Sequence, residues 1–300
     1  MGTGDFGKST GLQARMLLTV FGLGVIYVVL IVVAISAGAG GAGVFICFAA
    51  LCAVQLFASD KIALHAVGAT DASPDQFPQV HGAIERLCIQ ANIPKPRVAV
   101  VKSAMPNAFA VGRSQKTATV CVTTGLLNTL NPAQLEGVLA HELAHIINHD
   151  VMVMTVASFF ASVAALLVRF GFLFGRRSGN GQAQAALGVV LLVSLAVYAV
   201  SFVLLRALSR YREFAADRGA AVLTGAPSAL ASALLALDQK MAGIPSRDLR
   251  AASSMNAFFI IPARPKNALM RLFATHPPME KRIAALQRLE AQLQSGPTAR

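Results

Sequence analysis

His141 and His145 stand four residues apart in "GVLAHELAHIINHD", residues 137–150, with Glu142 directly after the first histidine. On an α-helix, positions i and i+4 lie about 40° apart in azimuth and roughly 6 Å apart along the axis. Both imidazoles therefore reach one metal ion. Glu142, rotated about 100° from His141, falls beside that ion rather than on it. A carboxylate there is placed as a general base for water, because zinc lowers the pKa of the water it activates to about 7. With six histidines and six glutamates in 300 residues, chance yields H-E-x-x-H in on the order of a few chains per thousand. The bland alternative is a pair of surface histidines at a membrane interface.

A hydrolytic zinc site needs a third protein ligand and an open fourth position. His149 does not qualify on a straight helix, lying about 12 Å along the axis and about 80° round from His141. A histidine ten residues after the first is also absent, since that position is Val151. The best candidate lies in "SRYREFAADRGAA", where Glu213 and Asp217 are four apart on a helical stretch. One reading pairs these carboxylates locally with Arg210, Arg212 or Arg218. The other makes Glu213 the third ligand, with Asp217 fixing a ligand histidine through its second ring nitrogen. The residues alone leave both open.

These groups have to be positioned by a chain that is 55% hydrophobic and 13% charged, with mean hydropathy +0.60. A soluble domain carries about 25% charged residues, so the composition indicates a membrane protein. The net charge of +12 comes from scattered lysines and arginines without an aromatic-rich basic groove, which argues against nucleic acid. Basic loops beside apolar spans account for it. Cys47, Cys52, Cys88 and Cys121 show no C-x-x-C spacing, so neither a disulfide framework nor a cysteine metal site is expected. The catalytic part is expected to face a reducing compartment.

Four apolar stretches, residues 16–37, 43–58, 151–174 and 185–205, each approach the roughly 20 residues of a spanning helix. The first is longer than a signal-peptide core and a second follows at once, which favours a membrane hairpin over a cleaved leader. The expected organisation is an N-terminal tail (1–15), a hairpin (16–58), a soluble segment carrying H-E-x-x-H (59–150), a second hairpin (151–207) and a second soluble segment (208–300). Lys61, Arg86, Lys95, Arg97, Arg206, Arg210 and Arg212 place both soluble segments on the cytoplasmic side. Arg176 and Arg177 in "GRRSGNGQ" point the other way and leave the second pair open to partial embedding. "RVAVV" and "ATVCVTTG" read as strands. Pro132 and Gln134 open a helix with Leu135, Val138 and Leu139 on one face. "PSALASALLALDQKMAG" and "MEKRIAALQRLEAQLQ" read as helices.

Taken in order, two N-terminal spans, "PNAFAVG", "VTTGLLNTL", "HELAHIINHDVMVMT", two more spans, "SRYREFAADRGAA" and "THPPMEKRIAAL" resemble the HtpX family of membrane-bound zinc metalloproteases over nearly the whole chain. The resemblance implies a mainly α membrane protein. Four transmembrane or membrane-embedded helices would accompany a cytoplasmic α+β domain of the gluzincin type with a small β-sheet. It implies one zinc per subunit on His141, His145 and Glu213, Glu142 as general base, and Asp217 behind a ligand histidine. Asn107, Ala108, Phe109, Ala110, Val111 and Gly112 look like the family's substrate-binding edge strand, which would capture extended backbone as an added strand. The implied activity is endopeptidase cleavage of misfolded or damaged membrane proteins in the bacterial inner membrane, in quality control and stress response. His149 and "GRRSGNGQ" depart from the family pattern. His276 in "THPP" either approaches the metal or orders the start of the last helix.

Three competing readings carry less. "GTGDFGKS" matches the phosphate-loop pattern, but no strand precedes it and an apolar span follows, so no nucleotide is expected. An intramembrane metalloprotease needs a ligand motif within a span, and no apolar span contains an aspartate. A transporter or scaffold with an inert metal site would place charge inside the membrane, where Arg169 is the only candidate and can snorkel.

Overall fold

Apolar runs free of proline become long helices in the computed structural model, which describes residues 10–36, 41–155, 181–243 and 277–295. These are α1 (Thr10–Ser36), α2 (Gly41–Ala66) and α6 (Gly181–Thr224). The expected end of the fourth apolar stretch near residue 205 is not an end of structure. Nothing between the apolar run and "SRYREFAAD" breaks a helix, so α6 continues for 44 residues. The third stretch is helical through Thr155, and its remainder lies outside the described residues. So do Arg169, residues 175–180 of "GRRSGNGQ", His276 and the phosphate-loop look-alike.

Two compact units result, one within Met1–Leu12, Asp60–Val151 and Ser209–Arg300, the other within Gln13–Ser59 and Met152–Leu208. In the second unit the helices turn large apolar side chains outward. Leu17, Leu18 and Phe21 on α1 are 72%, 71% and 71% exposed, and Leu192, Leu195 and Val203 on α6 are also exposed. Apolar surface on that scale calls for lipid or another apolar partner. Within α6, Leu191–Thr224 contains a stretch long and apolar enough to cross a membrane, alone among the described residues.

The first unit is built on a four-stranded mixed sheet: β1 (Thr70–Asp71), β2 (Arg97–Val101), β3 (Ala108–Val111) and β4 (Thr119–Thr123), in the order β1-β2-β4-β3. β2 runs parallel to β4, and β3 runs antiparallel to β4 with Ala110 opposite Val120. Successive side chains point to opposite faces of a strand, so the sheet is covered on both sides. Val98, Val100, Ala108, Ala110, Val120 and Val122 enter the main core. Ala99, Phe109, Val111 and Cys121 meet Ala63 and Leu64 from the end of α2.

Four further helices complete that core. α3 (Pro78–Ala91) buries Val80, Ala83, Ile84, Leu87 and Cys88 at helical spacing. The short α4 (Thr124–Leu127) leads into α5 (Pro132–Ile147). α5 is started by a capping box: Asn131 Oδ1 accepts from the Gln134 amide at 2.9 Å, and Gln134 Oε1 accepts from the Asn131 amide at 3.1 Å. α7 (Pro227–Ala242) packs on α5, and α8 (Met279–Gln294) packs on α7. Gly137 permits the close approach of α5 to α7, since a Cβ there would stand 3.1 Å from the Leu230 backbone. The result is a rigid helix α5 clamped between sheet and helices, with its H-E-x-x-H turn buried.

Candidate metal centre

α5 presents His141 and His145 from consecutive turns, and α6 presents Glu213 across from them. Their ligand atoms all lie within 4.8 Å of one another, and all three residues are buried. The two Nε2 atoms are 3.2 Å apart. Glu213 Oε2 lies 3.6 Å from His141 Nε2, and Oε1 lies 3.7 Å from His145 Nε2.

The second ring nitrogens suit this cluster to a cation. His145 Nδ1–H donates to Asp150 Oδ2 at 2.6 Å. His141 Nδ1 faces Asp217 Oδ1 at 3.0 Å, off the axis of an aligned hydrogen bond but in close charge contact. When each imidazole carries its proton on Nδ1, beside its aspartate, the two Nε2 lone pairs face each other and a third carboxylate. Such a convergence is repulsive without a positive charge between the groups. The spacing also fits, since Zn–N distances of about 2.0–2.1 Å put two nitrogen ligands of a tetrahedral zinc roughly 3.3 Å apart.

The electrostatics point the same way. Burial lowers the His141 pKa, but the Asp217 and Glu213 carboxylates overcome it and raise the imidazole to about 9. In the absence of metal the proton is the cation these carboxylates draw in. Arg282, fully buried on α8, donates Nε–H to Asp217 Oδ2 at 2.8 Å and Nη2–H to Oδ1 at 2.6 Å. Its Nη1 lies 3.5 Å from Glu213 Oε2. Burial pulls its pKa down, yet the Asp217 and Glu213 charges push it above its ordinary value. Arg212 Nε stands 3.3 Å from Asp150 Oδ2. Glu142, Asp150, Glu213 and Asp217 are thus carboxylates buried around the site, with Arg212 against Asp150 and Arg282 against Asp217 and Glu213.

Glu142 is buried on the same helix turn, next to His141 in sequence. Its charge, after burial, helps raise the Cys121 thiol to about 12. Asn107 and Gly112 flank β3, the last strand of the sheet, and β3 lies alongside α5. His149 is exposed at a left-handed φ of 59° and is not among the clustered residues.

Arg282 and Asp150 escaped the sequence reading, although each left a trace. Arg282 interrupts the apolar stripe of Met279, Leu286 and Leu289 on α8, and a charge on a core-facing stripe must have a buried partner. Asp150 comes five residues after His145, and only the turn at His149 brings it back.

A buried H-E-x-x-H helix opposed by a carboxylate from a later, partly apolar helix defines a membrane metallopeptidase. The chain belongs to peptidase family M48, whose family model matches residues 74–290. It is 49% identical over 293 residues to "Protease HtpX homolog" of Moorella thermoacetica, covering 97% of this chain and 98% of that protein. It is 48% identical to "Protease HtpX homolog 1" of Streptomyces coelicolor, covering 97% of each. A further relative, "Protease HtpX homolog 2" of Methanosarcina mazei, is 48% identical over 95% of this chain and 98% of its own length. The resemblance to HtpX proteases is thus borne out, and nothing favours a transporter. Among solved structures, S. mikatae Ste24p matches with a TM-score of 0.52 at 16% identity, over 93% of this chain and 66% of that protein. That likeness speaks to fold alone.

Proposed function

We propose that the chain is a zinc-dependent endopeptidase of the bacterial inner membrane that cuts misfolded or damaged membrane proteins. His141, His145 and Glu213 hold the zinc, Glu142 is the general base, and Asp217 holds His141. Residues 107–112 bind extended substrate. The chain crosses the membrane several times, with the catalytic part in the cytoplasm. The observation that carries this reading is the convergence of two imidazoles and one carboxylate, with the second nitrogen of each imidazole facing an aspartate.

A bound zinc supplies Lewis acidity, polarising the scissile carbonyl and making water acidic near neutral pH. The chain's own residues do the rest. An extended peptide pairs its backbone with β3 at the end of the sheet, which orients it along α5. Glu142 accepts a proton from water as the water oxygen bonds to the carbonyl carbon. The same carboxyl then returns that proton to the departing amine as the C–N bond breaks. Asp217 holds the His141 imidazole in the tautomer that keeps Nε2 unprotonated.

Cleavage of casein by the detergent-solubilised protein tests the activity. Glu142→Gln and chelator treatment should each abolish it, and zinc should restore it only to the chelated wild type. Undiminished cleavage by Glu142→Gln would remove Glu142 from the mechanism.

A further inference from the structure

His145 is held by a pair of residues that flank the inserted segment. We infer that Asp150, braced by Arg212, is a positioning residue that fixes the orientation and tautomer of His145. The inference rests on His145 being a metal ligand.

The geometry is specific. α5 ends at Ile147, His149 takes a left-handed φ of 59°, and a new helix begins at Asp150. That reversal brings Asp150 back over the last turn of α5, where it accepts the His145 Nδ1–H at 2.6 Å. The Asp150 side chain is completely buried, while Arg212 is 12% exposed and lies 3.3 Å away. Among the described residues, Asp150 Oδ1 has no hydrogen-bond partner. A carboxylate in such a place is costly to desolvate, and a buried ion pair seldom returns that cost as stability. Its orienting action on His145 is what its burial achieves.

The arrangement parallels that of His141, which Asp217 and Arg282 back in the same order. Each imidazole thus has an aspartate behind it and a guanidinium behind the aspartate. The two braces differ in where they come from. Asp217 and Arg282 belong to α6 and α8. Asp150 is the last residue but one before the chain leaves the catalytic unit, and Arg212 follows closely after it returns at Ser209. The Asp150–Arg212 pair therefore fastens both ends of the insertion to one ligand.

Metal affinity provides the test, measured by competition between the purified full-length protein and a chromophoric zinc chelator. The cobalt-substituted protein's visible absorption spectrum serves as a second readout. Losing such a partner typically costs roughly 10–100-fold in metal affinity. Asp150→Ala should fall in that range and shift the cobalt bands. Asp150→Asn, whose amide oxygen still accepts from Nδ1, should lose less, and Arg212→Gln should lose a few-fold. If Asp150→Ala does not fold, the Asn and Gln variants carry the comparison. Wild-type zinc affinity and an unchanged cobalt spectrum in Asp150→Asn and Arg212→Gln, even with lowered thermal stability, would overturn the positioning role. His145→Ala serves as the control. Full metal retention there would overturn the ligand assignment beneath the inference.

Discussion

Nε2 of His141 and Oε2 of Glu213 lie 3.6 Å apart, although the entire second apolar region separates them in the chain. One belongs to a helix clamped on the sheet, the other to the end of a 44-residue helix whose earlier part is apolar. The catalytic unit is therefore completed only when the chain returns from its insertion. Glu213 and Asp217, one turn apart on α6, then meet both α5 and the buried Arg282 of α8.

Arg282 is a permanent cation against both Asp217 and Glu213, beside the titratable His141. Removing one partner of a buried ion pair typically costs about 3–5 kcal/mol, because the remaining charge is left uncompensated. Arg282→Ala should therefore lower the unfolding midpoint strongly in thermal melts of the solubilised protein. Arg282→Lys, which keeps the charge but not the two-pronged contact with Asp217, should fall between. Equal midpoints for all three proteins would contradict this role.

The His141 pKa sets a pH dependence with opposite signs for metal-free and metal-loaded protein. Its folded value of about 9 exceeds the ordinary 6.5. Protonation of His141 therefore stabilises the metal-free fold fully below about pH 6.5, and that contribution is lost as pH rises through 9. Binding metal displaces this proton, so affinity should grow across the same window. Melts of chelator-treated protein should fall in midpoint from pH 6.5 to 9, while the stabilisation produced by added zinc increases. A metal-free midpoint that rises over this interval would contradict the assignment.

Substitution of Gly112 tests substrate handling apart from metal binding. Its φ is +128°, and a Cβ there would sit 2.6 Å from the Ala118 Cα and 2.8 Å from the Thr117 oxygen. Because Val111 pairs with Thr119 next to this turn, Gly112→Ala must distort the end of β3. Strain of this kind is of order 1–3 kcal/mol, and displacement of the strand should lower kcat/KM about tenfold for each 1.4 kcal/mol of transition-state binding it removes. Zinc content should be unchanged. Normal peptide turnover in this variant would argue against β3 as the docking edge.

Much of the catalytic helix was legible because its signals are local. Pro132 and Gln134 mark its start, and i, i+4 spacing fixes which residues share a face. The last helix occupies the residues expected of it, Met279–Gln294, for the same reason. The spacing of Val80, Ile84, Leu87 and Cys88 contains α3 just as plainly. β1, only two residues long, carries no periodicity of its own and exists because it pairs with β2. The continuous α6 was obscured by a change from apolar to charged side chains, which alters the surroundings of a helix without ending it. Arg282 and Asp150 could be noticed as charges in odd places, but their partners depend on tertiary packing and on the turn at His149.

The central claim is that Glu213 shares one ion with His141 and His145, while Glu142 serves chemistry alone. Zinc content of purified Glu213→Ala and Glu142→Ala, measured side by side with wild type, tests it most directly. The expected result is near-stoichiometric zinc in inactive Glu142→Ala and strongly reduced zinc in Glu213→Ala. Stoichiometric zinc with full peptidase activity in Glu213→Ala would contradict it.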